Sequence, residues 1–347
     1  MAKTASGNFF EDFRVGQPLP HGTPRTVTTA DATLYLALTG SRYAQFCCET
    51  VARDNGLERS PIDDVLTFHI VFGKSVPDVS LNAVANLGYA EGRFHGVVYP
   101  GETVHARSEV IGLRENSNGR TGTVWVRTQG FVGDRLVLDY VRWVMVKKRD
   151  FENPAPEAIV PELRPGLDAS DLIVPAGLAP ATAPDGARGF TFDDYAVGER
   201  IDHVDGATID EAEHRLATRL YQNTAKVHFN AHAERSGRFG RCIVYGGHVI
   251  SLARSLAHNG LGEVLHVAAI NAGSHVNPCF AGDTIYAWSK VLDKQPLPGR
   301  TDLGALRLRL IATKDRPCND FPYKGDDGRH LADVVLDFDY WALMPRV

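Results

Sequence analysis

Phe10-Glu11-Asp12-Phe13-Arg14-Val15-Gly16-Gln17 returns later in the chain as Phe192-Asp193-Asp194-Tyr195-Ala196-Val197-Gly198-Glu199. Tyr99-Pro100-Gly101-Glu102-Thr103-Val104 returns as Phe280-Ala281-Gly282-Asp283-Thr284-Ile285 at almost the same offset. Leu138-Asp139 ahead of Trp143 is echoed by Leu336-Asp337 ahead of Trp341. Three matches in the same order mark a tandem duplication.

Working outward from these anchors, each copy has one order of elements: a helix-like opening, a glycine-punctuated stretch, a longer helix and several strands. Val249, Leu252, Ala253 and Leu256 fall at helical spacing, with Asn259-Gly260 as a stop signal, and a comparable apolar run surrounds Phe68, Ile70, Val71 and Phe72. Strands are expected over 104–114, 121–131 and 136–147, with Asn118-Gly119 as a hairpin turn. The second copy repeats them over 284–292, 305–313 and 331–344, with an exposed loop near 316–329. One helix followed by consecutive antiparallel strands predicts an α+β fold, not a doubly wound parallel sheet.

A chain of 347 residues accommodates two ordinary domains or one duplicated domain. A formal charge of −5 with 23% charged residues gives no basic footprint for nucleic acid. No apolar run is long enough to span a bilayer, and the opening residues lack a signal-peptide pattern. Cys47, Cys48, Cys242, Cys279 and Cys318 are odd in number and without CxxC spacing, so a reducing cytoplasm is the expected compartment. Between the copies, the segment 151–188 carries Pro154, Pro156, Pro161, Pro165, Pro175, Pro180 and Pro184. Such a stretch reads either as a linker lying across the surface, pinned by Leu172, Ile173 and Val174, or as a disordered tether.

The chemistry concentrates in Tyr221-Gln222-Asn223-Thr224-Ala225-Lys226-Val227-His228-Phe229-Asn230, directly after a helix-like run from Glu211 to Leu220. Some twenty residues later Gly246-Gly247 opens the second long helix. A histidine held near the free N–H groups of a helix start suits acyl-thioester chemistry: it carries a proton beside a place where a carbonyl oxygen can accept hydrogen bonds. His228 and His232 are four apart, a spacing that also occurs in metal sites, but no third ligand stands out and no metal is expected. Asn223 also reads as a helix-end turn residue, and Gly246-Gly247 as a tight turn.

These features resemble the MaoC-type hydratases: a polar residue, a histidine five positions on, a glycine-led helix and a PGDT-like strand start. Their fold is the hotdog, an antiparallel sheet wrapped around one long helix, and two in one chain resemble the double-hotdog members. GNFFEDFRVGQ, FHIVFGKSVPDVSLNAVANLGYAEGRF, YQNTAKVHFN and IVYGGHVISLARSL further resemble the mesaconyl-CoA hydratase branch of that family. The resemblance implies a first hotdog over 1–150, a linker over 151–188 and a catalytic second hotdog over 189–347.

It further implies a hydro-lyase interconverting mesaconyl-C1-CoA and β-methylmalyl-CoA, with coenzyme A as part of the substrate and no separate cofactor. The family's histidine falls on His228. Its usual aspartate falls on Asn223, a departure, because an amide cannot take a proton. The first copy has Ser41 and Phe46 at these places, which implies one active site per chain, with the first hotdog as a wall of the coenzyme A tunnel. Backbone N–H groups at Gly246 and Gly247 are expected to meet the thioester oxyanion, with Tyr245 and His248 lining the pocket. His228 is then the sole proton carrier unless Asp63, Asp64 or Glu49 supplies a second group. The substrate's free carboxylate asks for a cation among Arg42, Arg93, Lys226, Arg238 and Arg241, of which Lys226 and Arg238 are placed in the substrate site. A straight-chain (R)-enoyl-CoA hydratase, a hotdog thioesterase and a non-catalytic acyl-CoA binder are the competing readings. Hotdogs pair through their sheets; this chain already contains one pair, and a homo-oligomer of such chains is compatible with the sequence.

Overall fold

In the computed structural model, which describes residues 3–181 and 189–346, the two Phe-acid-acid-aromatic repeats do one job twice. Each forms a short 3-10 turn, Phe10–Asp12 and Phe192–Asp194, closed by its own aspartate. The leading phenylalanine then lies flat on a strand glycine. A Cβ on Gly122 would come within 2.2 Å of the Phe10 ring, and one on Gly304 within 2.2 Å of Phe192. The second repeat is a turn into a strand. Gly101 and Gly282 take φ of 98° and 97°, a left-handed conformation that disfavours any side chain.

Ten strands form one antiparallel sheet: β1 (Pro18–Thr26), β2 (Ala83–Phe94), β3 (Thr103–Glu115), β4 (Thr121–Val132), β5 (Arg135–Lys147), β6 (Arg200–Thr208), β7 (His266–His275), β8 (Thr284–Pro296), β9 (Leu303–Lys314) and β10 (Val334–Pro345). Their order is β1-β3-β4-β5-β2-β7-β10-β9-β8-β6, so each half contributes five neighbouring strands and β2 joins β7 at the seam. The register there pairs Tyr89 with Gly273, Ala90 with Ala272, Gly92 with Ile270 and Arg93 with Ala269. Each half wraps one helix, Asp64–Ser75 in the first and Gly246–Leu256 in the second. Every residue of the former is buried, including the polar Asp64, Thr67, His69, Lys74 and Ser75. The main core unites both helices with the inner faces of both half-sheets.

The strands expected after each long helix are all present; five are extended by one to several residues, while the last starts three residues later than expected, at Val334, and ends at Pro345. The longer insertion of the second copy lies between β9 and β10 and is loop except for a bridge between Lys324 and His330. The helix expected to stop at Asn259-Gly260 ends earlier, at Leu256. A short second turn follows, and within it Gly260 takes a φ of 103°. Of the proline-rich segment, residues 151–181 run along the outer face of the sheet, where Leu167 and Leu178 are buried against Leu303, Trp341 and Leu343. The Trp341 Nε1–H donates to the Leu167 carbonyl at 2.9 Å. Pro184 and the rest of 182–188 lie outside the described residues. Among the described residues no helix is long and apolar enough to cross a membrane.

Candidate active site

Helix Glu211–Leu220 ends at Tyr221, and Gln222, with φ of 54°, turns the chain sharply toward the seam between the halves. The stretch rests directly on the first half's central helix. A Cβ on Gly73 would fall 1.8 Å from the Tyr221 carbonyl oxygen, so only glycine permits this contact. Asn223 follows, buried, with its Oδ1 accepting the Ala225 N–H at 2.9 Å. This is a side-chain-closed turn, and it leaves the amide nitrogen for other partners.

His228 closes the short turn Lys226–His228 and is half-buried. Its Nδ1–H donates to the Ile243 carbonyl at 3.0 Å. That bond fixes the tautomer and leaves Nε2 as the bare, basic nitrogen. Burial pushes the ring's pKa down to about 4, opposed by the Ile243 bond and assisted by nearby His214. The imidazole is therefore neutral, and able to accept a proton, throughout the physiological range.

Asn223, His228, Tyr245 and Gly246 all line one cavity of about 390 Å³ between the two halves. Gly246 is the first residue of its helix, and no side chain caps that end. Its N–H and that of Gly247 have no protein acceptor among the described residues. An uncapped helix start facing a cavity favours an anion. Gly247 itself is wedged between rings: a Cβ there would meet Tyr245 at 2.3 Å and His69 at 2.6 Å. Arg238 lines the cavity at its exposed rim.

Several expectations are corrected. The His248 ring does not line the cavity; its Nε2–H donates to Glu213 Oε1 at 2.8 Å, a partly buried contact. Lys226 is exposed and outside the lining, as are Arg42 and Arg241, while Arg93 faces Asp139. The three acids considered as second carriers are also elsewhere. Asp63 caps the first central helix and pairs with Arg254, Asp64 lies 2.9 Å from His266, and Glu49 binds Arg53 and the Ser60 N–H. No aspartate or glutamate is among the cavity's lining residues. Among the described residues, no cluster of three or more His, Cys, Asp or Glu is arranged to hold a metal ion. Cys279 lines the wall, but burial pushes its thiol up to about 12, so it stays protonated.

A second imidazole, unforeseen in the sequence, stands in the same cavity. His275 ends β7, and its Nδ1 is so near the helix start that a Cβ on Gly246 would fall 2.4 Å from it. Its Nε2 is hydrogen-bonded to the Tyr89 hydroxyl at 3.0 Å, across the seam. Burial again pushes the ring down to about 4, with His228 close enough to contribute. The repeat could have revealed it. Counting back from the matched Tyr99 and Phe280 turns, Phe94 stands where the second copy has His275, just as Phe46 stands where it has His228.

The first half's counterpart of the cavity is closed. There the helix start carries Asp63, whose Oδ1 accepts the Val65 N–H at 2.8 Å and whose Oδ2 pairs with Arg254 Nη1 at 3.0 Å. Phe46 is buried under the same Arg254 guanidinium, which lies 5.7 Å from its ring centroid, and Ser41 is buried as well. The same helix-start preference for an anion is thus met internally in one half and left open in the other.

Two fused hotdogs with a histidine-lined cavity at the open helix start define a MaoC-type hydratase architecture. A solved MaoC domain dehydratase of Chloroflexus aurantiacus superposes with a TM-score of 0.96, at 59% identity over 100% of both chains. The chain belongs to the mesaconyl-CoA hydratase family, which matches residues 2–325. It is 61% identical to the β-methylmalyl-CoA dehydratase of Chloroflexus aurantiacus, over 99% of each chain. To the mesaconyl-CoA hydratase of Cereibacter sphaeroides it is 54% identical, over 99% of this chain and 100% of the relative.

Proposed function

We propose that this chain catalyses the reversible addition of water to mesaconyl-C1-CoA, giving β-methylmalyl-CoA. Membership of the mesaconyl-CoA hydratase family and the 61% identical dehydratase name the two directions of one reaction. The observation that carries the reading to this chain is the pair of neutral imidazoles beside an uncapped helix start, in a cavity without carboxylates. Coenzyme A enters as part of the substrate, and the reaction as written calls for no separate cofactor.

In the dehydration direction, His228 Nε2 removes the proton on the carbon beside the thioester. Charge moves onto the thioester oxygen, which is met by the Gly246 N–H and the helix dipole. His275, with the Tyr89 hydroxyl donated to its Nε2, carries its own hydrogen on Nδ1 beside Gly246 and adds a second donor. Losing one donor of this kind typically raises a barrier by about 3 kcal/mol. The hydroxyl on the next carbon then leaves as water, taking back the proton from His228 on the same face, while the Asn223 amide steadies it without titrating. Hydration runs the same steps in reverse.

The test is a substrate panel followed by the ultraviolet absorbance of the enoyl thioester. Loss of that absorbance with mesaconyl-C1-CoA, much faster than with crotonyl-CoA, is expected. Equal or greater rates on crotonyl-CoA would assign the chain to straight-chain hydratases, and free-thiol release to thioesterases.

A further inference from the structure

Arg142 lies on β5 with no exposed surface, yet its guanidinium has no carboxylate partner within salt-bridge distance among the described residues. Its Nη2 donates to Ser75 Oγ at 2.7 Å, and Nη1 and Nη2 both reach Ser80 Oγ at 3.4 Å. Nε has no partner at all. The cation also stacks on Phe72, 4.3 Å from the ring centroid. Arginine is almost never fully buried unless paired, because an uncompensated buried charge is costly. The guanidinium lines the cavity, together with Ser80 and with Asn86, both of whose buried amide atoms are also unsatisfied. In the sheet register Arg142 stands opposite Tyr89, the residue hydrogen-bonded to His275. Only Tyr89 stands between it and His275.

The closed half shows what such an arginine does when its partner is present. Phe72 is the ninth residue of the first central helix and Arg254 the ninth of the second. Arg142 precedes Trp143, and Tyr340 precedes the matching Trp341. Cation and aromatic ring have therefore changed places between the copies, so each cavity position has one arginine. Arg254 is buried like Arg142 but is matched by the Asp63 carboxylate at the helix start.

We infer that the Arg142 guanidinium, with the Asn86 amide beside it, is the anchor for the free carboxylate of a dicarboxylic acyl thioester, standing toward substrate as Arg254 stands toward Asp63. This deepens the proposed function and rests on it: the planar fork takes the distal carboxylate while the thioester oxygen lies at Gly246. Arg238, at the exposed rim, is left for the coenzyme A end.

The test compares mesaconyl-C1-CoA with 2-methylcrotonyl-CoA, in which a methyl group replaces the distal carboxylate. In Arg142→Met, kcat/KM for mesaconyl-C1-CoA should fall at least 100-fold, with less than a threefold change for 2-methylcrotonyl-CoA. Arg142→Lys should lie between. A second variant places the anion within the protein: Ser80→Asp sets a carboxylate beside the guanidinium, and should raise the melting temperature while suppressing turnover of the dicarboxylic substrate alone. Equal losses on both substrates in folded Arg142→Met, or unchanged mesaconyl turnover in Ser80→Asp, would overturn the assignment. If Arg142→Met does not fold, the Ser80→Asp selectivity decides. Failure of the wild-type enzyme to prefer mesaconyl-C1-CoA is a separate result, and it strikes the proposed function rather than the variant ratios.

Discussion

Tyr89 of the first half and His275 of the second share a 3.0 Å hydrogen bond across the β2–β7 seam. The bond ties the orientation of a cavity imidazole to a residue from the copy that lacks its own open cavity. Tyr89 is almost wholly buried, and burial holds its phenol protonated, so it remains a donor over any practical pH. Tyr89→Phe should keep the fold, cost about 1 kcal/mol of stability, and free the imidazole to change tautomer. A fall in kcat of about tenfold, equivalent to ~1.4 kcal/mol of barrier, is expected with KM little changed. Steady-state kinetics and a thermal melt on the same sample check both parts.

His228→Ala should abolish most turnover while leaving the circular dichroism spectrum unchanged. General acid–base groups commonly contribute roughly 10²–10⁴-fold, and here the loss should reach the upper end because no carboxylate lines the cavity to substitute. Near-wild-type hydration by this variant would remove the mechanism's central atom.

Gly246→Ala puts a methyl carbon where the His275 ring now lies, 2.4 Å from Nδ1. The ring must shift, and overpacking of this kind costs about 1–3 kcal/mol. The expected result is a folded, somewhat less stable enzyme with hydration reduced at least tenfold, as measured by enoyl absorbance.

Asp63→Asn leaves Arg254 buried beside a neutral amide. Breaking one partner of a buried pair typically costs about 3–5 kcal/mol, so the melting temperature should drop sharply. Neither partner is among the open cavity's lining residues, so kcat of the folded fraction should hold. A large loss of kcat at full folding would contradict the separation of the two cavities.

Stability should also fall in acid. Burial pushes His203, His214, His228 and His275 from the ordinary 6.5 to about 4. Between those two values the unfolded chain binds more protons than the native one, so stability rises with pH there and is lost as pH drops from 6.5 toward 4. Thermal melts at half-unit pH steps should show the loss in that window, and activity at saturating substrate should decline only near its lower end.

The duplication and the six long strands were legible because aromatic–acid turns and alternating strands leave period-specific marks, and the place of His228 in the cavity was legible from its spacing to the Gly246 helix start. The seam strands were not. β2 and β7 are written in alanine, glycine and asparagine, since Gly92 and Gly273 must admit Ile270 and the Tyr89 ring at close range, and this removes the alternation that marks a strand. Within the site, Asn223, His228 and Gly246 were found by their motif. His275 and Arg142 belong to no local motif: His275 is hydrogen-bonded to Tyr89 of the other half, Arg142 is held by Ser75, Ser80 and Phe72 of its own half, and only a residue-by-residue comparison of the copies exposes them. His248 misled because its place beside the glycine pair says nothing of its rotamer, which Glu213 decides.

The sealed cavity of the first half has an evolutionary reach beyond stability. In a symmetric dimer of single hotdogs, any change in one wall is copied into the other, so a side chain that helps as a scaffold must be tolerated as a catalyst. Covalent fusion lifts that coupling. Here one copy carries Phe46 and Phe94 where the other carries His228 and His275, and fills its own helix start with Asp63, while lending Tyr89 and Phe72 to its sibling's cavity. The expected stoichiometry is one turnover centre per chain, and active-site titration should return that number.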